Sequence, residues 1–242
     1  MKVTKGGNFK PVRLPEPQTA LARCYSVVDI GTVPNIYNGK INPKNPKTRK
    51  INITFEFPTL LGVFNEERGE EPFVIGLELT ASTGEQSNLS KLISQWRNKP
   101  LTPQEQEGFD PTKMVGKTAY ISFLHKRKPK FVGATISEVT NENTNLKFNG
   151  IMPKPKDINA PSNINEYIIW DWDLVEHDGF SAHIETFEKI PLWLRRKIGE
   201  SEEFKRLSKG YKVEEDNTQA DEAAEDTQAE DTSNKKTVSD DW

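Results

Sequence analysis

Asn88-Leu89-Ser90-Lys91-Leu92-Ile93-Ser94-Gln95-Trp96 breaks the rhythm of the chain around it. Leu89, Leu92, Ile93 and Trp96 recur at i, i+3, i+4 and i+7, the spacing of one helix face. Ser87 or Asn88 can cap the start, and Pro100 closes the segment. On both sides the apolar residues alternate in twos, the period of a strand with one buried face. Leu21–Ile30 is the first such run, with Ala22, Cys24, Ser26, Val28 and Ile30 on one face, ended by Gly31-Thr32. Arg49–Phe57 is the second. It places Ile51, Ile53, Phe55 and Phe57 on one side and Lys50, Asn52, Thr54 and Glu56 on the other. Pro72–Ser82 is the third, through Phe73, Ile75, Leu77 and Leu79. After the helix, Thr102-Pro103-Gln104-Glu105 opens a short second helix, with Thr102 as cap and Pro103 at the first helical position. Lys117–Leu124 and Lys130–Val139 then form a hairpin around the basic turn 125–129.

Three strands, a helix and two strands is the order of the OB-fold, a five-stranded Greek-key barrel with its helix between strands 3 and 4. The chain is therefore expected to be mainly β, although an SH3-like barrel or a small sandwich shares most of this order. Four segments follow: a basic extended arm over 1–18, an OB-fold core over 19–140, a loop-rich extension with short amphipathic helices over 141–213, and an acidic tail over 214–242. Trp96, Phe55, Phe57 and Phe73 are expected in the core. Trp170 and Trp172, flanked by Asp171 and Asp173, are expected to pack under a loop.

Charge divides the chain sharply. Residues 214–242 hold eleven acidic residues and two lysines, a net of −9, against −3 for all 242 residues, so residues 1–213 carry +6. The tail holds too little apolar surface to offset its ordering entropy and reads as disordered. It closes on Asp240-Asp241-Trp242, a hydrophobic hook on a polyanion. A basic body with an acidic tail suggests an anionic partner that the tail can imitate.

The body's cations cluster on the two loops that an OB-fold uses for oligonucleotides, at one predicted end of the barrel. Lys40, Lys44, Lys47, Arg49 and Lys50 lie in and just after the loop between strands one and two. Lys126, Arg127, Lys128 and Lys130 lie between strands four and five. Single-strand binding needs such cations along the phosphates and aromatic faces for the bases; Tyr25, Tyr37 and Phe131 are the candidates, with Tyr120 beside them.

No phosphate-binding loop or nucleophile elbow is present, so no enzymatic activity is expected. Asp171, Asp173, Glu176 and Asp178 would have to converge to serve a two-metal nuclease. The single cysteine, Cys24, excludes an internal disulfide framework, and the three histidines are scattered, so neither metal nor cofactor is expected. No apolar run approaches the ~18 residues of a membrane span and no signal-peptide pattern is visible, which fits a cytoplasmic monomer or homodimer.

Leu14-Pro15, the run Ala22-Arg23-Cys24-Tyr25-Ser26-Val27-Val28-Asp29-Ile30-Gly31-Thr32, Phe109-Asp110 with Val115-Gly116-Lys117, and Ile190-Pro191-Leu192-Trp193 resemble phage-encoded single-stranded DNA-binding proteins of the OB-fold type. The resemblance covers most of residues 10–205. The tail is similar to those of bacterial and phage single-strand binders, where an acidic C-terminus ends in an aromatic. Bacterial relatives usually end in Asp-Asp … Pro-Phe, and the proline is missing before Trp242 here. The resemblance implies a protein that coats single-stranded DNA in phage replication, recombination and repair, in the host-cell cytoplasm. It also implies that Asp240, Asp241 and Trp242 recruit replication or recombination proteins. Two alternatives remain: a non-enzymatic interaction factor or DNA mimic acting through the tail, and a strand-annealing recombination protein.

Overall fold

The structure is a computed structural model that describes residues 12–37, 39–127, 130–132, 135–137, 144–159 and 162–213. Ten strands and six α-helices follow one another among them: β1 (Gln18–Pro34), β2 (Ile36–Tyr37), β3 (Lys40–Ile41), β4 (Lys47–Asn65), β5 (Gly69–Thr80), α1 (Asn88–Arg97), α2 (Pro103–Glu107), β6 (Thr118–Arg127), β7 (Lys130–Val132), β8 (Thr135–Ser137), β9 (Thr144–Pro153), β10 (Ile168–Trp170), α3 (Trp172–Asp178), α4 (Ile184–Lys189), α5 (Leu192–Gly199) and α6 (Glu202–Leu207).

The chain is mainly β. Its principal sheet runs β5-β4-β1-β6-β9, all antiparallel, and β10 joins β1 in parallel as a sixth strand. Among the described residues the sheet is open, since no ladder joins β5 to β9; α1 lies against both instead. The expected five strands in a closed ring are thus replaced by six in an open sheet.

β1 is longer than its alternation suggests, because two bulges interrupt it. Cys24 pairs with Phe55 and Ser26 with Thr54, so Tyr25 is an extra residue. An extra residue reverses the phase of every side chain beyond it. Ala20, Ala22, Cys24 and Val27 therefore face one core, whereas Val28, Ile30 and Val33 face another. The expectation that Ala22 through Ile30 share one face is corrected accordingly.

The fifth strand is corrected as well. Lys130–Val139 does not return along β6; β7 and β8 pair only with each other, and β9 occupies that place, from Ala119↔Pro153 to Arg127↔Thr144. A bulge explains why β9 escapes a period-two search. Ser122 pairs with Gly150 and Phe123 with Phe148, so Leu146 and Phe148 lie out of phase with Ile151.

The first core lies between one face of the sheet and α1. Ile53, Phe55, Phe57, Ala119, Ile121 and Phe123 are fully buried in it, with Leu89, Leu92, Ile93 and Trp96 from the helix. Trp96 stands edge-on to Phe55 at 5.3 Å, and its Nε1 donates to the Thr118 carbonyl at 2.9 Å. The local signals hold: Ser87 Oγ accepts from the Ser90 amide, Asn98 ends α1 in the left-handed region, and Thr102 and Glu105 close a capping box on α2.

The second core lies on the opposite side of β1. Trp170, Trp172, Phe180, Phe187, Ile190, Leu194, Ile198 and Phe204 bury themselves there with Val28 and Ile30. Trp170 and Trp172 meet edge to face at 5.2 Å. Within the expected extension over 141–213, β9 joins the principal sheet and the short helices from Trp172 onward form a packed layer, with the tryptophan pair in its core. Among the described residues no helix is long and apolar enough to cross a membrane.

Candidate nucleic-acid interface

The loop after β1 is a small ribbon. Ile36 pairs with Ile41 and Tyr37 with Lys40, around Gly39 at φ +73°. Asn35 pins its base, its amide donating to the Pro46 carbonyl and its side chain to the Asn45 carbonyl, both at 2.9 Å. Lys40 and Lys44 are exposed, with no ion pair among the described residues. Tyr37 lies on this ribbon by its backbone; its side chain is outside the described residues.

The other three cations of this cluster are already engaged. Lys47 pairs with Glu202 of α6. Arg49 donates through both Nε and Nη2 to Asp29, Nε at 2.9 Å, and its Nη2 lies 3.4 Å from Asp173 at the start of α3. Lys50 donates to Glu78 on β5 at 2.5 Å, and Glu78 also accepts from Lys197 of α5 at 3.1 Å. Burial pushes the Asp29 carboxyl up, while the Arg49 bonds and the Gly31 amide pull it back. The Asp29 bond in turn holds the Arg49 guanidinium firmly charged. These pairs tie the helical layer to the sheet. Lys47, Arg49 and Lys50 are thus each paired with a carboxylate.

The second cluster lies on β6, its turn and β7. Lys126 and Arg127 end β6, and Lys130 and Phe131 lie on the β7–β8 ribbon, where Phe131 pairs with Ile136. Their side chains, and Lys128 altogether, are outside the described residues. His125 just before them bonds through Nε2 to the Pro15 carbonyl at 2.7 Å and ties the N-terminal arm to β6. The register corrects the expectation that both loops share one end. The first ribbon follows Pro34, whereas β6 pairs with Gln18–Arg23 and carries its last residues past the start of β1. The ribbons leave β1 from opposite ends.

The outward face of β4 is partly covered between those ends, while Val74 on β5 remains exposed. Glu56 is fully buried, and its carboxylate accepts from the amides of Ile164 at 3.2 Å and Asn165 at 2.8 Å. Asn52 is buried beside it and accepts from Thr54 at 2.8 Å. Tyr25, the bulge residue, packs against the second core. It is only partly buried, and burial and then the Glu56 charge push its phenol up. The sequence offers no sign of these partners, because Glu56 and Asn165 lie 109 positions apart and only folding joins them.

No protein-family model matches the chain, and neither the curated proteins nor the solved structures hold a match. The acidic residues near α3 are individually accounted for. Asp171 caps the helix by accepting from the Asp173 amide, Asp173 faces Arg49, and Glu176 pairs with Arg206. Asp178 sits between His177 and His183, whose bonds, His177's first, hold it below the usual carboxylate range. Among the described residues no three histidine, cysteine or acidic groups come together as metal ligands would. Asp240, Asp241 and Trp242 lie outside the described residues.

Proposed function

We propose that the chain binds single-stranded DNA without sequence preference, and that residues 214–242 compete with DNA and recruit replication or recombination proteins. The observation that carries this is the strand path. The order β5-β4-β1-β6-β9, with α1 between β5 and β6, corresponds to 3-2-1-4-5 of an OB barrel, left open between its third and fifth strands. Both connections that such a fold uses for oligonucleotides carry a basic ribbon. The engaged pairs shift the binding surface away from the face of β4 and β5. It rests on Lys40, Lys44 and Tyr37 at one end of β1 and on Lys126, Arg127, Lys128, Lys130 and Phe131 at the other. The resemblance to phage single-strand binders supports a role in phage DNA replication, recombination and repair in the host cytoplasm, as coating or as strand annealing.

The partial cover over the face of β4 favours a second reading, an interaction protein that works through its acidic tail. One titration separates the two. Fluorescence anisotropy of a labelled oligothymidylate and of a duplex of equal length is followed at two salt concentrations, with the full chain and with a chain ending at 213. Single-strand preference, a fall in log K with log salt, and tighter binding without the tail support the binder. Equal affinity for both DNA forms, or a slope near zero, overturns it.

A further inference from the structure

We infer that a pocket between α1 and the start of β6 is the docking site of the chain's own Asp240-Asp241-Trp242 segment. The pocket encloses about 500 Å³. That lies within the roughly 300–1,000 Å³ of cavities that bury a small ligand or one large side chain. Its lining is apolar and aromatic: Ile93 and Trp96 of α1, Phe109, Met114 and Pro153 at the end of β9. Ile93, Trp96 and Met114 are buried, so the floor is fixed by the first core and does not have to form on binding.

Four cations stand among the lining residues, Arg97, Lys113, Lys117 and Lys154. Arg97 donates to Glu105 at 2.7 Å, and Lys113 lies 3.8 Å from Asp110. The Thr102 amide and then Arg97 hold the Glu105 carboxyl down at about 2, so that pair persists at neutral pH. Lys154 donates to the carbonyls of Pro155 and Ile158 and has no ion pair among the described residues. Lys117 has no ion pair among the described residues. Four positive charges against two carboxylates leave a positive mouth over an apolar floor.

The occupant follows from that combination. A positive rim selects acid, and an aromatic floor selects an aromatic group next to it. Residues 214–242 supply both in one place: Trp242 is their only aromatic residue, and Asp240 and Asp241 immediately precede it. The segment carries −9 against +6 on the body, so its approach is electrostatically favoured. The chain between Val213 and Ser239 spans about 90 Å when extended, ample to reach a pocket on the same domain. Docking here is independent of whether the chain binds DNA. If it does, the seated anchor concentrates the tail's charge near the body.

The chain has three methionines, and two of them form an internal pair of probes. Met114 lines the pocket, whereas Met152 lies half exposed on β9. Full-length protein labelled with ¹³C at the methionine methyls is compared with full-length Trp242→Ala, without DNA. Docking shifts the Met114 methyl between the two proteins by more than a linewidth and leaves Met152 in place. A synthetic peptide of residues 230–242 added to Trp242→Ala returns Met114 to its original position in a saturable titration. Lys117→Glu in the Trp242→Ala background weakens that titration about tenfold with an unchanged thermal midpoint, and high salt weakens it likewise. A Met114 signal that is the same in both proteins and indifferent to the peptide overturns the proposal. So does a titration that a peptide lacking the tryptophan reproduces.

Discussion

Gly31 shows how one residue can hold two layers together. It follows the second bulge of β1 at φ +89°, a backbone region that side chains rarely adopt. A Cβ there would lie 2.5 Å from Glu203 Oε2 and 2.9 Å from Trp172 Nε1. Both atoms belong to the helical layer, so glycine lets α3 and α6 approach the sheet. Gly31→Ala is expected to lower stability by about 1–3 kcal/mol, the usual cost of a strained backbone position. Urea unfolding measures it, and an unchanged midpoint would show that the layer gives way freely. In the sequence this glycine reads as the end of a strand; β1 runs on to Pro34. The residue type was legible, but its purpose depends on contacts 141 and 172 positions away, which no local pattern records.

At the scale of elements, legibility follows locality. α1 and α2 are readable because their caps and apolar spacing all lie within a dozen residues. β9 is not, because its bulge breaks the only periodic signal it has. The attachment of α5 and α6 is equally hidden, and it carries a pH dependence. Burial pushes Glu78 up, but the Lys50 bond and the Lys197 charge outweigh it and hold the carboxyl below its usual range. Glu203 is likewise pushed up by burial and pulled lower by Thr32, whose amide and hydroxyl donate to it at 2.7 and 2.8 Å. A carboxyl with a lowered folded pKa stabilises fully above its unfolded value, ~4.3, and loses that contribution as pH falls through the folded value. The thermal midpoint followed by circular dichroism should therefore drop between pH 5 and pH 3. The drop should shrink in Glu78→Gln/Glu203→Gln, which lacks both titrating groups. An equal drop in that variant would place the acid sensitivity elsewhere.

For the whole molecule, net charge was a sound guide to where cations cluster and a poor guide to which of them are available. Lys40 through Lys50 read as one patch, yet Asp29, Asp173, Glu78 and Glu202 divide it into three engaged cations and two lysines with no ion pair among the described residues. The two groups should answer differently to mutation. Lys40→Glu/Lys44→Glu touches no ion pair among the described residues, so its thermal midpoint should stay put. Its single-strand affinity at low salt should fall. The slope of log K against log salt should also flatten by about 1.4, at roughly 0.7 per phosphate contact on a single strand. Arg49→Met should do the reverse. It strands the nearly buried Asp29 carboxylate, a loss of about 1–3 kcal/mol for an acceptor left without its donor, while the salt slope stays unchanged. Urea unfolding and anisotropy on the same two variants read both quantities. If Arg49→Met flattened the slope as much as the lysine pair does, its guanidinium would have to reach phosphate. That requires the Asp29 and Asp173 contacts to break and the helical layer to lift from the sheet when DNA binds.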